Sequence, residues 1–305
     1  MHLHIILNPI AGRGDSEKIW DDWQQQLSIA HIIYYTKYKG HAFEIAKEIA
    51  EAAHNNKEQT CIISIGGDGT IHEVLNGIIG YDFVILGVIK AGSGNDFSRT
   101  YRVFNYPEEL KQFLHTPNKE LHDCGIVEFQ QPRAFVNNCG IGFDAFVADL
   151  TNSSKVKKRL NQIGLGKLSY VYYVILGLMI FKPFELVAIQ NGERHIFQNV
   201  WFATICNQPY FGGGMKISPN SKTNDGILEL TVVHNLSRIK LLFMFGTVFF
   251  GKHLRFKEVI QMTAQHFQLL YNTQLFCHTD GETVKHGAQS LSFYVKKHSW
   301  HLTKF

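Results

Sequence analysis

No apolar run in this chain is long enough to cross a bilayer. The longest, residues 168–181 and 241–250, fall short of the roughly 18–20 residues a span needs. A protein that is cytoplasmic, and at most peripheral to a membrane, is therefore expected. A signal peptide is not expected, because Leu3 to Leu7 already reads as a buried strand. Cysteine is scarce and odd in number: Cys61, Cys124, Cys139, Cys206 and Cys277 are scattered, mostly inside apolar runs. That pattern excludes a disulfide framework and zinc spacing and suits reduced core thiols. Sixteen histidines include no His-Glu-x-x-His, and no Gly-x-Gly-x-x-Gly follows a strand-like run. Repeats and low-complexity tracts are absent. A near match to the phosphate-binding P-loop, from Gly246 to His253, puts His253 where Ser or Thr should bind metal. It also ends a helix-like run, so it is set aside.

What is present is an apolar fraction of 45% with 13% aromatics, ample for ordinary cores. A length of 305 residues favours two domains. The formal charge of +4 hides an asymmetry: residues 1–120 hold 11 Lys/Arg against 15 Asp/Glu, and residues 121–305 hold 19 against 11. A basic second half suits an anionic partner such as a membrane surface or nucleic acid, and a solvated basic face would give the same count; no nucleic-acid partner is expected.

The chain is organised around Ile62-Ile63-Ser64-Ile65-Gly66-Gly67-Asp68-Gly69-Thr70-Ile71-His72-Glu73. The β-branched run reads as a buried strand. Its glycines permit positive φ and let a ligand approach bare backbone. Thr70 is expected to open a helix, with Glu73 completing a capping box. Strand, glycine turn and helix N-terminus make an anion site suited to phosphate, and Asp68 is placed for a metal or a hydroxyl. Two more polar turns follow strands: Asn8-Pro9-Ile10-Ala11-Gly12-Arg13-Gly14 and Ala91-Gly92-Ser93-Gly94-Asn95-Asp96-Phe97. Strands alternating with helices predict a doubly wound, mostly parallel α/β sheet over residues 1–120. Ligands in such sheets sit beyond the carboxyl ends of the strands, where all three turns fall.

Near residue 120 the pattern changes. Segments 121–129, 134–141, 185–190, 199–207, 227–234 and 290–296 read as strands without regular helices between them. A mainly antiparallel β-sandwich is predicted over residues 121–290, with 291–305 a last strand able to return to the first domain. Residues 155–181, basic and then aromatic, and 237–250 interrupt it as helices.

Phosphoryl transfer needs charge neutralisation, in-line placement of the acceptor and a proton acceptor. The glycine-turn N–H groups and Arg13 or Lys39 can supply the first, with Mg²⁺ held by Asp68, Asp96 or Asp123. A hydroxyl acceptor requires a carboxylate within hydrogen-bond reach. Asp280 and Glu282 flank Gly281: on an extended strand they would share one face, one holding a partner while the other meets the acceptor, whereas Asp280-Gly281 also reads as a hairpin turn with exposed acids.

Taken together, Asn8-Pro9-x-x-Gly12, Gly66-Gly67-Asp68-Gly69-Thr70-x-x-Glu73 and Gly92-Ser93-Gly94-Asn95-Asp96-Phe97 resemble the diacylglycerol kinase catalytic-domain family. That family includes soluble bacterial lipid kinases and sphingosine kinases and is related more distantly to the NAD kinases. Thr36 before Gly40-His41-Ala42, residues 137–144, residues 219–226 and Asp280-Gly281-Glu282 extend the match over nearly the whole chain. The resemblance implies ATP-dependent, Mg²⁺-assisted phosphorylation of a hydroxyl of diacylglycerol or a related lipid. The α/β half would be NAD-kinase-like and the second half would supply the lipid. ATP contacts are implied for Asn8, Pro9, Ile10, Ala11, Gly12 and Thr36, for Gly67, Asp68, Gly69, Thr70, Ile71, His72 and Glu73, and for Ser93, Asn95 and Asp96. Glu282 would be the general base, with Asp68 and Asp280 also catalytic. A structural Mg²⁺ would sit on Lys222, Asp225 and Ile227, with Asp225 its one charged ligand. Implied partners are the lipid and a peripheral membrane surface, met by residues 155–159, Lys167 and the aromatic run after them; a homodimer stays open. So do a kinase for a soluble hydroxyl substrate and a catalytically silent lipid- or nucleotide-binding protein.

Overall fold

The computed structural model describes residues 1–27, 29–92, 95–129, 131–152, 166–286 and 289–305. Four parallel strands open the chain: β1 (His2–Leu7), β2 (Ile32–Tyr35), β3 (Thr60–Gly66) and β4 (Val84–Lys90), in the order β2-β1-β3-β4. The helices among and after them are α1 (Asp15–Gln24), α2 (His41–Asn56), α3 (Asp68–Ile78), the short α4 (Phe97–Thr100) and α5 (Pro107–His115). β3 is buried along its whole length. A parallel strand covered on both faces reads as a near-continuous apolar run, and Cys-Ile-Ile-Ser-Ile does, with Ser64 as its one polar residue. Trp20 and Trp23 of α1 and Leu110 and Phe113 of α5 seal one face of the sheet. Ala46 and Ile49 of α2 and Val74 and Leu75 of α3 seal the other.

The second half runs β5 (Asn118–Val127), β6 (Arg133–Phe135), β7 (Asn138–Gly142), α6 (Phe143–Asn152), α7 (Gly166–Ile180), β8 (Phe184–Gln190), β9 (Glu193–Cys206), β10 (Leu228–His234), α8 (Arg238–Val248), β11 (Val259–Ala264), β12 (His266–Tyr271), β13 (Leu275–Thr279), β14 (Glu282–His286) and β15 (Ser290–Lys304). Its strands pair antiparallel in the order β14-β13-β7-β9-β8-β12-β15, with β10 between β9 and β11 and with β5 between β15 and β6. A separate core, including Phe135, Trp201, Phe267 and Phe293, lies within it. The expected α/β half followed by a β-sandwich-like half is therefore present.

β15 joins the two halves. Its first part pairs antiparallel with β12, and β5 accompanies it nearly throughout. The register shifts between Lys296 and Trp300, where His298 takes φ +46. Beyond that bulge His301 and Leu302 lie parallel to Ile85 and Leu86 of β4. Hydrogen bonding thus runs without a break from sandwich to α/β sheet.

Several local expectations change. The 134–141 segment divides into β6 and β7, the strands expected at 290–296 and 291–305 are one strand, β15, and β11 and β12 were not foreseen. α3 begins at Asp68, with Gly67 as N-cap, two residues before Thr70. Residues 155–159 and Ser93 lie outside the described residues. All five cysteines are buried thiols, and burial pushes the Cys124 thiol up to about 12.

Candidate active site

The three glycine turns meet at the carboxyl edge of β1, β3 and β4. A Cβ on Gly92 would stand 2.4 Å from the Gly67 Cα, and one on Gly12 would stand 2.3 Å from the Ala91 carbonyl oxygen. No side chain fits either gap, and Gly12 also holds φ +60, so backbone packs on backbone. Asn8 Nδ2 donates to Thr70 Oγ1 at 3.0 Å and ties the first turn to the second. The result is a cleft of about 540 Å³, walled by Asn8, Ile10, Ala11, Gly12, Thr36, Gly67, Asp68, Gly69, Thr70, Glu73 and Gly92, with Tyr38 and Lys39 on its rim. That is the size of an ordinary small-molecule site.

Glu73 does not cap its own helix. Its carboxylate accepts the Gly40 N–H at 2.8 Å and the Ala42 N–H at 3.2 Å, fixing the turn into α2 against α3. Tyr38 stacks on His41 with centroids 4.6 Å apart. Lys39, 75% exposed, leans across the cleft into an ion pair with Glu282. Glu282 opens β14, and its Oε1 lies 3.7 Å from where a side chain on Gly69 would begin. An acid from the second half therefore overhangs the first turn of α3.

Asp280 and Glu282 do not share a strand face. Thr279 pairs with Glu282, and Asp280 and Gly281 form the two-residue hairpin turn between β13 and β14 with φ of +48 and +86, the geometry of a type I′ turn. The turn sends the two acids in different directions. Asp280 is sealed inside, accepting the N–H groups of Val136 at 3.0 Å, Asn137 at 2.8 Å and Asn138 at 3.0 Å. His72 Nδ1 lies 2.8 Å from its other side. His72 is thereby turned away from the cleft, and Ile71 is 3% exposed in the core under α3. Neither is on the wall, nor are Pro9, Asn95 and Asp96.

The remaining carboxylates divide by environment. Asp68 lines the cleft, its Oδ1 accepting the Phe97 N–H at 3.1 Å. Asp96 accepts the Gly213 and Gly214 N–H groups, each at 2.7 Å, tying the third turn to the second half. Burial raises its carboxyl to about 6 despite those donors, and the nearby Asp68 charge adds to the rise. Asp123 is far from any cleft role, accepting the Gly226 and His298 N–H groups, each at 2.7 Å. The loop holding Lys222, Asp225 and Ile227 fits a divalent cation in part. Asp225 Oδ1 already accepts the Ile227 N–H at 3.1 Å, so one carboxylate oxygen and loop carbonyls remain, with water needed to complete the shell. Among the described residues no three of His, Cys, Asp and Glu converge as a ligand set.

A second feature carried no role in the sequence reading. A narrow apolar cavity lies within the sandwich, lined by Phe143, Val147, Val174, Phe202, Phe245 and Val248 among others, and ends on Asp144 and Thr204. Asp144 Oδ2 accepts the Thr204 hydroxyl at 2.9 Å and faces His278 Nε2 at 3.2 Å. The Gly281 N–H in turn points at His278 Nδ1, 3.4 Å away. The cavity's polar end therefore adjoins the turn that presents Glu282. The tight packing at Gly140, where a Cβ would sit 2.1 Å from Asp144, is visible in sequence only as a glycine.

Comparisons with known proteins agree with this layout. Residues 2–126 match the diacylglycerol kinase catalytic domain, and residues 137–294 match the YegS C-terminal NAD kinase beta sandwich-like domain. The chain is 30% identical to "Putative lipid kinase YtlR" of Bacillus subtilis over 292 residues, 93% of this chain and 94% of that protein. It is 26% identical to a diacylglycerol kinase of Mycobacterium tuberculosis over 257 residues, 83% of this chain and 80% of that one. In fold it is similar to a diacylglycerol kinase of Bacillus anthracis, with TM-score 0.71 and 19% identity over 100% of this chain and 97% of that one. An NAD kinase of Archaeoglobus fulgidus, solved with ATP, matches at TM-score 0.56 and 11% identity over 100% and 94%. With the two family matches covering both halves and a relative aligned along nearly its whole length, the chain belongs to the diacylglycerol kinase family, lipid kinases that transfer phosphate to an alcohol.

Proposed function

We propose that the protein phosphorylates a hydroxyl of diacylglycerol or a related lipid with ATP, using residues 1–120 to hold nucleotide and 121–290 to hold lipid. The observation that carries this is Glu282 overhanging the cleft in which Gly12, Gly67 and Gly92 meet. The Gly67 and Gly69 turn and the first turn of α3 direct N–H groups at the phosphates, where the helix dipole also favours anions. Lys39 adds a mobile cation at the mouth. Glu282 accepts the proton of the lipid hydroxyl as its oxygen bonds to phosphorus and the bond to the departing ADP oxygen breaks. Asp280 is a positioning residue, pinning the hairpin so that Glu282 faces the cleft. Mg²⁺, when bound, supplies charge neutralisation on the phosphates; Asp68 would hold it in the cleft, and Lys222, Asp225 and Ile227 would hold a structural ion. The cavity ending on Asp144 is apolar but only about 30 Å³, so an acyl chain would enter it only as its walls part. Its apolar lining next to the turn that presents Glu282 favours a lipid over a soluble acceptor.

The test is labelled ATP with Mg²⁺ against a lipid panel and NAD, followed by organic extraction. Label in the organic phase is expected, falling roughly 10²–10⁴-fold in Glu282→Gln. Label that goes to NAD alone, or unchanged turnover in Glu282→Gln, would overturn the assignment.

A further inference from the structure

α8 is apolar on both sides. Leu241, Met244 and Val248 are buried against the sandwich, whereas Ile239, Leu242 and Phe243 stay exposed, followed by Phe249 and Phe250 just past its end. Phe243 and Phe250 are 73% and 75% exposed. A surface helix normally turns polar residues to water, so this second apolar side calls for a cover. It is continuous with the end of α7. Arg238 Nε donates to the Leu178 carbonyl at 2.7 Å, and α7 itself exposes Tyr172, Ile175, Met179 and Ile180.

A contiguous apolar face of this kind marks an interaction site. The surrounding charge selects the partner. Between residues 230 and 257 the sequence has five Lys/Arg and no Asp or Glu, and Lys182, just past the end of α7, is exposed. Lys252, Arg255 and Lys257 are exposed directly after Phe250. A second copy of the chain packed through a twofold would set these bases against one another. An anionic headgroup layer would pair them while its acyl chains accept the phenylalanines. The apolar cavity runs beneath the same helices, bounded by Val174 of α7 and by Phe245 and Val248 of α8.

We propose that the exposed side of α8, with the last turns of α7, docks the enzyme on an anionic bilayer, over the narrow apolar cavity beneath these helices. Phe243 and Phe250 insert, and Lys252 and Arg255 engage headgroups. The assignment rests on the lipid-acceptor reading and locates its membrane face on described residues, where the sequence had pointed to residues 155–159, Lys167 and the aromatic run after them.

The test sediments the full chain with vesicles of phosphatidylcholine alone or mixed with phosphatidylglycerol. Wild type should bind the mixed vesicles, less so as salt rises. Phe243→Glu/Phe250→Glu should lose binding by about tenfold or more, and Lys252→Glu/Arg255→Glu should lose the salt-sensitive part. Circular dichroism melts confirm that both variants fold. Phosphorylation of a short-chain diacylglycerol dispersed without vesicles should be unchanged in both variants. Its absence in wild type would strike the lipid-kinase reading while leaving the binding result standing. Vesicle binding indifferent to both pairs of substitutions overturns the docking face. So does light scattering in which the phenylalanine pair merely converts a dimer to a monomer.

Discussion

Lys39 and Asp280 are both charges beside Glu282, and burial gives them opposite work. Lys39 stands 75% exposed, and a pair so open to water adds little to stability. Its use lies in its freedom to leave Glu282 when a terminal phosphate offers a denser negative charge. Lys39→Met should therefore weaken ATP about tenfold while leaving ADP near its wild-type affinity, read by calorimetric titration. Equal losses for both nucleotides would place Lys39 away from the terminal phosphate. Asp280 is the reverse case. Its side chain is fully buried and receives three backbone N–H groups with His72 alongside. Asp280→Ala strands those donors, and denaturant titration should show a loss of about 3 kcal/mol. A loss no greater than that of a surface substitution would mean the hairpin is held by its strands alone.

At the level of elements, the site is three turns in contact, and the contact depends on missing side chains. Gly92→Ala would drive a methyl into the Gly67 Cα, prying apart the second and third turns while both strands keep their partners. ATP affinity should fall by at least about tenfold with the circular dichroism spectrum unchanged. Gly246→Ala, on the helix α8 with open space around the new methyl, should leave nucleotide binding as it was. What could be read in advance here, and what could not, has a physical basis. The β3 turn was legible because a β-branched run, three glycines and a helix start are all local signals. Glu73 was misplaced because its partners, Gly40 and Ala42, lie 33 and 31 residues away, and spacing alone made it a cap. Asp280-Gly281 carried a turn signal and an acid signal in the same letters, and positive φ at both residues decided for the turn. β11 and β12 escaped notice because Gln261, Thr263, His266 and Gln268 dilute their apolar alternation. Only Gln265 separates the two strands, with no glycine or proline to mark the corner.

Over the whole molecule, buried titratable groups act on stability with two signs. His4, His122, His234, His253 and His301 are pushed down, chiefly by burial. The fold resists protonating them, so it loses stability as pH falls through the ordinary histidine range. Asp96 and Glu229 are pushed up by burial, to about 6 and about 7. The fold favours their neutral forms, so their contribution is complete below the ordinary carboxylate range and is lost as pH rises through about 6 and about 7. Glu229 is the separable case, because it lies in the sandwich beside Ser221 on β10, apart from the cleft. The charge of Asp225 repels it, in the same direction as burial. Glu229→Gln keeps the shape and the hydrogen-bonding partner while removing the titration. Denaturant unfolding of wild type and variant at pH 5 and pH 8 should show the variant gaining on wild type by roughly 2 kcal/mol between the two, after allowance for partial solvent screening. The histidine contributions cancel in that difference, because both proteins carry them. A gap that stays constant with pH would mean that Glu229 ionises inside the fold as readily as outside it.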